Sequence, residues 1–137
     1  MTFNPKNIKV LIVEDDEDIR EMYSITFMKK GFTVFTANDG RGALEKIQNK
    51  KPDILLLDIM MPNVDGYQVL KEVRKDMTRY IPVIMLTNLD PSHFERHAQF
   101  DDVDEYLIKS QYSPSEVLQK TIEVMKINKL IPEGVEF

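Results

Sequence analysis

The chain has no cysteine among its 137 residues, only two histidines, and fewer Lys and Arg (18) than Asp and Glu (23). Without cysteine, disulfide frameworks and thiolate metal sites are excluded, and a cytoplasmic setting is compatible. Two histidines are too few for a histidine-rich metal centre. The net charge of -5 argues against a direct nucleic-acid partner, which would want a basic patch. No apolar run approaches the roughly 18 residues needed to cross a bilayer. The N-terminal MTFNPKNIK lacks the apolar segment of a signal peptide, so no membrane partner is expected.

What is present is alternation. The continuous aliphatic runs IKVLIV (8–13), DILLLD (53–58) and IPVIMLT (81–87) read as strands buried on both faces, with Pro82 at the start of its strand, where a missing N–H is tolerated. FTVFTA (32–37) and DEYLIK (104–109) complete a set of five strands. Between them lie amphipathic stretches. DEDIREMYSITFMKKG carries Ile19, Met22, Tyr23, Thr26 and Phe27 at helical spacing and ends at Gly31. Residues 40–50 bury Ala43, Leu44 and Ile47, and the helix after Asp65 carries Tyr67, Val69, Leu70 and Val73. Asp90-Pro91 opens a helix to about Phe100, and Ser113-Pro114-Ser115-Glu116 has capping-box spacing before a last helix ending near Asn128. Five strands alternating with five helices predict an α/β fold: a doubly wound, flavodoxin-like parallel sheet of order 2-1-3-4-5 with helices on both faces. Residues 1–128 are expected to form one domain, with no effector domain after it. The tail 129–137 is expected to leave the helix at Pro132 and Gly134 and to be frayed or loosely docked. Its Leu130, Ile131, Val135 and Phe137 are able to cover apolar surface on the last helix.

In such sheets ligands sit beyond the carboxyl ends of the strands, where the strand order reverses. The first strand ends in Glu14 and Asp15, the third in Asp58, the fourth in Thr87 and the fifth in Lys109. Three carboxylates around one small volume repel unless a cation is present, and Mg²⁺ suits a site of few carboxylates, waters and a phosphate oxygen. Each residue alone has a plainer reading: a loop or cap acid, a β-branched strand end, or, for Tyr106, an amphipathic edge-strand tyrosine. The joint pattern at four strand ends is what argues for a site. Asp16 and Asp18 are explained by the helix dipole and Asp65 by capping. His93 and His97, one helical turn apart, read as a solvated face rather than a metal pair.

The segments LIVEDDEDIR, ILLLDIMMPNVDG, VIMLTN and DEYLIKS, in that order, resemble the receiver domain of two-component response regulators. The similarity covers about residues 7–127, and LLLDIMMPNVDG is its most specific part. The resemblance is to a single-domain regulator of chemotaxis or phosphorelay type. It implies that Asp58 is the phosphoacceptor, charged by a histidine kinase or histidine phosphotransfer protein. Glu14, Asp15, Asp58 and the Met60 backbone carbonyl would hold Mg²⁺, for which Mn²⁺ can substitute. Lys109 would contact the phosphoryl group. Thr87 and Tyr106 would act as the switch pair, with Tyr106 turning from a solvent-facing rotamer toward the core and reshaping a protein-binding face. The chain would be no enzyme beyond self-catalysed phosphorylation and dephosphorylation.

Two departures stand out: Asn88 where the family has a small residue, and Ser110 where proline, often cis, follows the lysine. The turn before DEYL also lacks the family's glycine. Three rivals share parts of the pattern. A flavodoxin-like cofactor binder would have its phosphate repelled by EDDED. A phosphohydrolase of the haloacid dehalogenase kind would place its nucleophile on the first strand. A receiver-like interaction module would bind partners without phosphorylation.

Overall fold

The computed structural model describes residues 3–61, 64–76, 78–88 and 103–137. Five strands, β1 (Lys9–Val13), β2 (Thr33–Ala37), β3 (Ile54–Leu57), β4 (Val83–Thr87) and β5 (Glu105–Ile108), pair in parallel in the order β2-β1-β3-β4-β5. The expected order is therefore found. The strands are one or two residues shorter than the runs read from the sequence: β1, β2 and β4 begin after the buried Ile8, Phe32 and Ile81, and β3 and β5 lose the polar residues at both their ends.

Side-chain alternation splits the core in two. Val10, Ile12, Ile54, Leu56, Ile84, Leu86 and Leu107 face one way, against helices α1 (Glu17–Lys29) and α4 (Pro114–Ile127). Leu11, Val13, Leu55, Leu57, Val83 and Met85 face the other way, against α2 (Gly40–Lys50) and α3 (Gly66–Lys75). Burial on both faces is what makes β1, β3 and β4 read as unbroken aliphatic runs. The helix expected from Asp90, with His93 and His97, lies outside the described residues, as does most of the turn before β5.

The caps follow the sequence closely. Asp16 accepts from the Ile19 N–H at 3.0 Å to start α1. Asp65 with Gln68, and Ser113 with Glu116, form reciprocal capping boxes. Gly31 stops α1 with φ +100°, where an L side chain would be strained. On α1, Met22 points outward rather than into the core; Tyr23, Ser24 and Phe27 form its buried face.

The C-terminal tail is docked rather than frayed. Ile131 is 2% exposed. Leu130 and Val135 pack on the α1–α4 side of the core. Phe137 meets Phe3 edge-on at 6.2 Å and Phe32 at 5.5 Å. The apolar tail residues thus cover the open end of the sheet together with the N-terminal segment.

Candidate functional site

Register places the acids. Val13 and Leu57 are paired across β1 and β3, and the Asp58 N–H donates to the Val13 carbonyl at 3.1 Å. One residue further on each strand, Glu14 and Asp58 project side by side, 2% and 5% exposed. Lys109, directly after β5, reaches across β4 to both. Its Nζ donates to Glu14 Oε1 and, at 3.1 Å, to Asp58 Oδ2. Asp15 stands exposed at the mouth, and one oxygen of each of Glu14, Asp15 and Asp58 lies within 4.8 Å of the others.

The electrostatics are those of a crowded acid pocket. Burial pushes the Glu14 carboxyl up to about 7, with the Asp15 hydrogen bond and the Asp58 charge adding to it against the pull of Lys109. Burial also raises Asp58, opposed by the Lys109 charge and hydrogen bond and by the Met60 N–H. For Lys109, burial works downward, but Glu14 and Asp58 reverse it and its ammonium is held above the ordinary lysine value. Fully ionised, the three carboxylates would leave about two negative charges unmatched by the one ammonium, and burial together with this excess is why Glu14 holds its proton so high without a further cation. The donors are all hard oxygens and one of the three acids opens to solvent. That set fits a divalent ion of the Mg²⁺ type.

Of the remaining expected residues, Thr87 is 1% exposed at the end of β4, in register with Ile108. Tyr106 pairs with Met85 in the ladder and packs on the α2–α3 side of the core, its hydroxyl shielded from solvent. The ring is thus half-buried here, and the expected solvent-facing rotamer is corrected. Met60 turns its side chain outward, 63% exposed, while its N–H donates to Asp58 Oδ1 at 3.3 Å. The Lys109–Ser110 bond is trans.

Three supports escaped the sequence reading. Arg20, on the first turns of α1, points its Nη1 back onto the carbonyls of Glu14 at 2.9 Å and Asp15 at 3.4 Å, clamping the β1–α1 loop. Its signal was faint: an arginine near the N-terminus of a helix, against the dipole preference. Gly66 lets α3 pass beneath the acid, since a Cβ there would stand 2.3 Å from the Asp58 carbonyl oxygen. Gly40 does the same for Val64, whose carbonyl oxygen would lie 1.9 Å from a Cβ.

The profile of the response regulator receiver domain matches residues 10–123. The chain belongs to the response regulator receiver domain family. This receiver is 33% identical over 131 residues to the alkaline phosphatase synthesis transcriptional regulatory protein PhoP of Bacillus subtilis, a match covering 95% of this chain and 53% of the relative. It spans about half the length of the curated relatives it matches. Among solved structures, the chemotaxis response regulator CheY4 of Vibrio cholerae is 32% identical with a TM-score of 0.76, covering 85% of the receiver and 98% of that chain. The response regulator TrrA of Thermotoga maritima, solved in complex with Mg(2+)-BeF, is 31% identical with a TM-score of 0.74 and the same coverage. The receiver is thus part of two-component signalling, in a family of signalling proteins rather than classical enzymes, and a phosphoacceptor role fits that family. The cofactor-binder, phosphohydrolase and phosphorylation-independent readings are not favoured. Among the described residues, no helix is long and apolar enough to cross a membrane.

Proposed function

We propose that Asp58 accepts a phosphoryl group from the phosphohistidine of a histidine kinase or histidine phosphotransfer protein. The observation carrying this reading is the placement of the Lys109 ammonium on both Glu14 and Asp58, at the end of a rigid central strand. An Asp58 oxygen attacks phosphorus, the N–P bond breaks, and the histidine nitrogen leaves with the electron pair. Phosphoryl transfer asks mainly for alignment and charge neutralisation. Alignment comes from β3, from the Met60 N–H on Oδ1 and from the close seat of Gly66 under the Asp58 carbonyl. Lys109 neutralises from the β5 side. Glu14, Asp15, Asp58 and the Met60 carbonyl would hold Mg²⁺ or Mn²⁺, which would supply further positive charge to the site when bound. Hydrolysis of the acyl phosphate by water in the same pocket returns Asp58, so the chemistry is self-catalysed.

The added charge, about two negative units at neutral pH, would draw Thr87 to a phosphoryl oxygen and shift Tyr106, changing a surface for a downstream protein. A reversal from about 1:99 to 99:1 needs roughly 5.5 kcal/mol of differential stabilisation. Residues 1–128 carry this chemistry and 129–137 form an added tail. The phosphodonor chemistry and the absence of cysteine suit the cytoplasm.

Intact-mass measurement after incubation with acetyl phosphate tests the reading. Wild type should gain one phosphoryl group with Mg²⁺ and none with EDTA, and Asp58→Asn should gain none in either. Equal labelling of the Asn variant would refute it.

A further inference from the structure

The two departures from the family pattern touch each other. The Ser110 N–H donates to Asn88 Oδ1 at 3.0 Å, across 22 residues of chain. Asn88 directly follows Thr87, the last residue of β4, and Ser110 directly follows Lys109, the first residue after β5. One hydrogen bond therefore joins the loops that leave two neighbouring strands, each one residue beyond a side chain of the site.

Local structure explains why the bond matters. Lys109 opens a 3-10 turn, Lys109–Gln111, whose N-cap position is occupied by Ile108, a residue with no side-chain oxygen and no capping bond. The first N–H groups of any helical turn have no partner within it. The turn is otherwise closed by a long contact, Tyr112 N–H to the Lys109 carbonyl at 3.4 Å. Asn88 supplies the missing acceptor from another strand, doing what a capping side chain does locally. A proline at position 110 would have no N–H to offer. The turn so fixed contains Lys109, and its ammonium must cross β4 to reach Glu14 and Asp58.

We propose that Asn88 is a positioning residue: by capping the Lys109–Gln111 turn from the end of β4, it holds the Lys109 ammonium on Glu14 and Asp58 and ties any displacement of Thr87 to that of Lys109. The consequence for phosphoryl transfer rests on the reading of Asp58 given above; the placement of the ammonium does not. Asn88 and Ser110 are both exposed, so substitutions at 88 leave the core intact.

The test uses the full chain, metal-free and unmodified, labelled with ¹⁵N. In wild type the Ser110 amide should be protected from hydrogen exchange and the Lys109 ammonium should give a distinct resonance. Asn88→Ala should weaken the Ser110 protection about two- to tenfold, as loss of one neutral hydrogen bond implies, and broaden the ammonium signal. Asn88→Asp, which keeps the acceptor oxygen, should restore both, whereas Asn88→Leu, of similar size without it, should not. With acetyl phosphate and Mg²⁺, Asn88→Ala should then label about two- to tenfold more slowly than wild type. A Leu variant that matches wild type would overturn the proposal by assigning the effect to bulk. An ammonium signal unchanged in Asn88→Ala would overturn it too, by confining the bond to the loop. If the spectra follow the expected pattern while wild type takes up no phosphoryl group, the reading of Asp58 fails and the placement of Lys109 stands.

Discussion

Without metal, the acid pocket should make this receiver less stable as pH rises toward neutrality, the reverse of ordinary acid denaturation. Glu14 in the folded chain keeps its proton up to about 7, while the unfolded chain releases it near 4.5. Between those values the folded state binds more protons, so stability falls with rising pH. The contribution is complete below 4.5 and gone above about 7. Asp58 is raised as well and acts in the same direction. Lys109, also raised, keeps its contribution below the ordinary lysine value of 10.5, so it is constant across this window. Asp76 and Glu116, lowered by hydrogen bonds from Thr78 and Ser113, act in the opposite direction, adding stability as pH rises through the ordinary carboxylate range, and the same contribution is present in a Glu14→Gln reference. At about 1.4 kcal/mol per tenfold change in proton affinity, the Glu14 gap is worth roughly 3 kcal/mol at most. Sharing of charge with Asp58 and Lys109 lowers the expectation to about 1–3 kcal/mol. Urea unfolding in EDTA at about pH 5 and about pH 7.5 measures it, with Glu14→Gln as the reference that cancels the contributions of groups outside the pocket. Wild type should lose stability against Glu14→Gln across this interval. Adding Mg²⁺ should recover more of it at the higher pH, where protons no longer compete for the site. Parallel curves for the two chains, in EDTA, would refute the reasoning.

The other predictions concern the frame. Gly66→Ala, whose Cβ would meet the Asp58 carbonyl oxygen at 2.3 Å and the Ile59 Cα at 2.7 Å, should cost about 1–3 kcal/mol and slow labelling by acetyl phosphate. Wild-type stability and rate in that variant would show that the joint under the acid is not tight. Asp104 accepts from the Tyr80 hydroxyl at 2.7 Å, the Val83 N–H at 3.0 Å and Asn128 Nδ2 at 3.2 Å, with Arg74 at 3.7 Å. Asp104→Ala should therefore cost about 2–4 kcal/mol in urea unfolding, while a loss below about 1 kcal/mol would mean that solvent replaces the network.

How much of this was legible follows from where the information sits. The two-sided burial of β1, β3 and β4 is written as unbroken aliphatic runs, so the fold class and the strand ends could be read directly. Glu14, Asp15 and Asp58 stood out as candidates because they follow such runs, and Lys109 because it follows the shorter β5; the family resemblance gave them an order. The outward turn of Met22 was misread because a residue at helical spacing can stand at the edge of the apolar face as well as within it. The docking of the tail was misjudged because it depends on Phe3 and Phe32, residues more than a hundred positions away.

The linear chain by itself determined the alternation of strands and helices, their caps, and which polar groups emerge at the strand ends, since period and capping are local properties. Tertiary structure alone decided that Lys109 meets Glu14 and Asp58, that Arg20 clamps the β1–α1 loop, that Gly66 must carry no side chain, and that Asn88 caps a turn on the next strand. Those are contacts between elements, and their geometry exists only once the sheet has set the register of one strand against another.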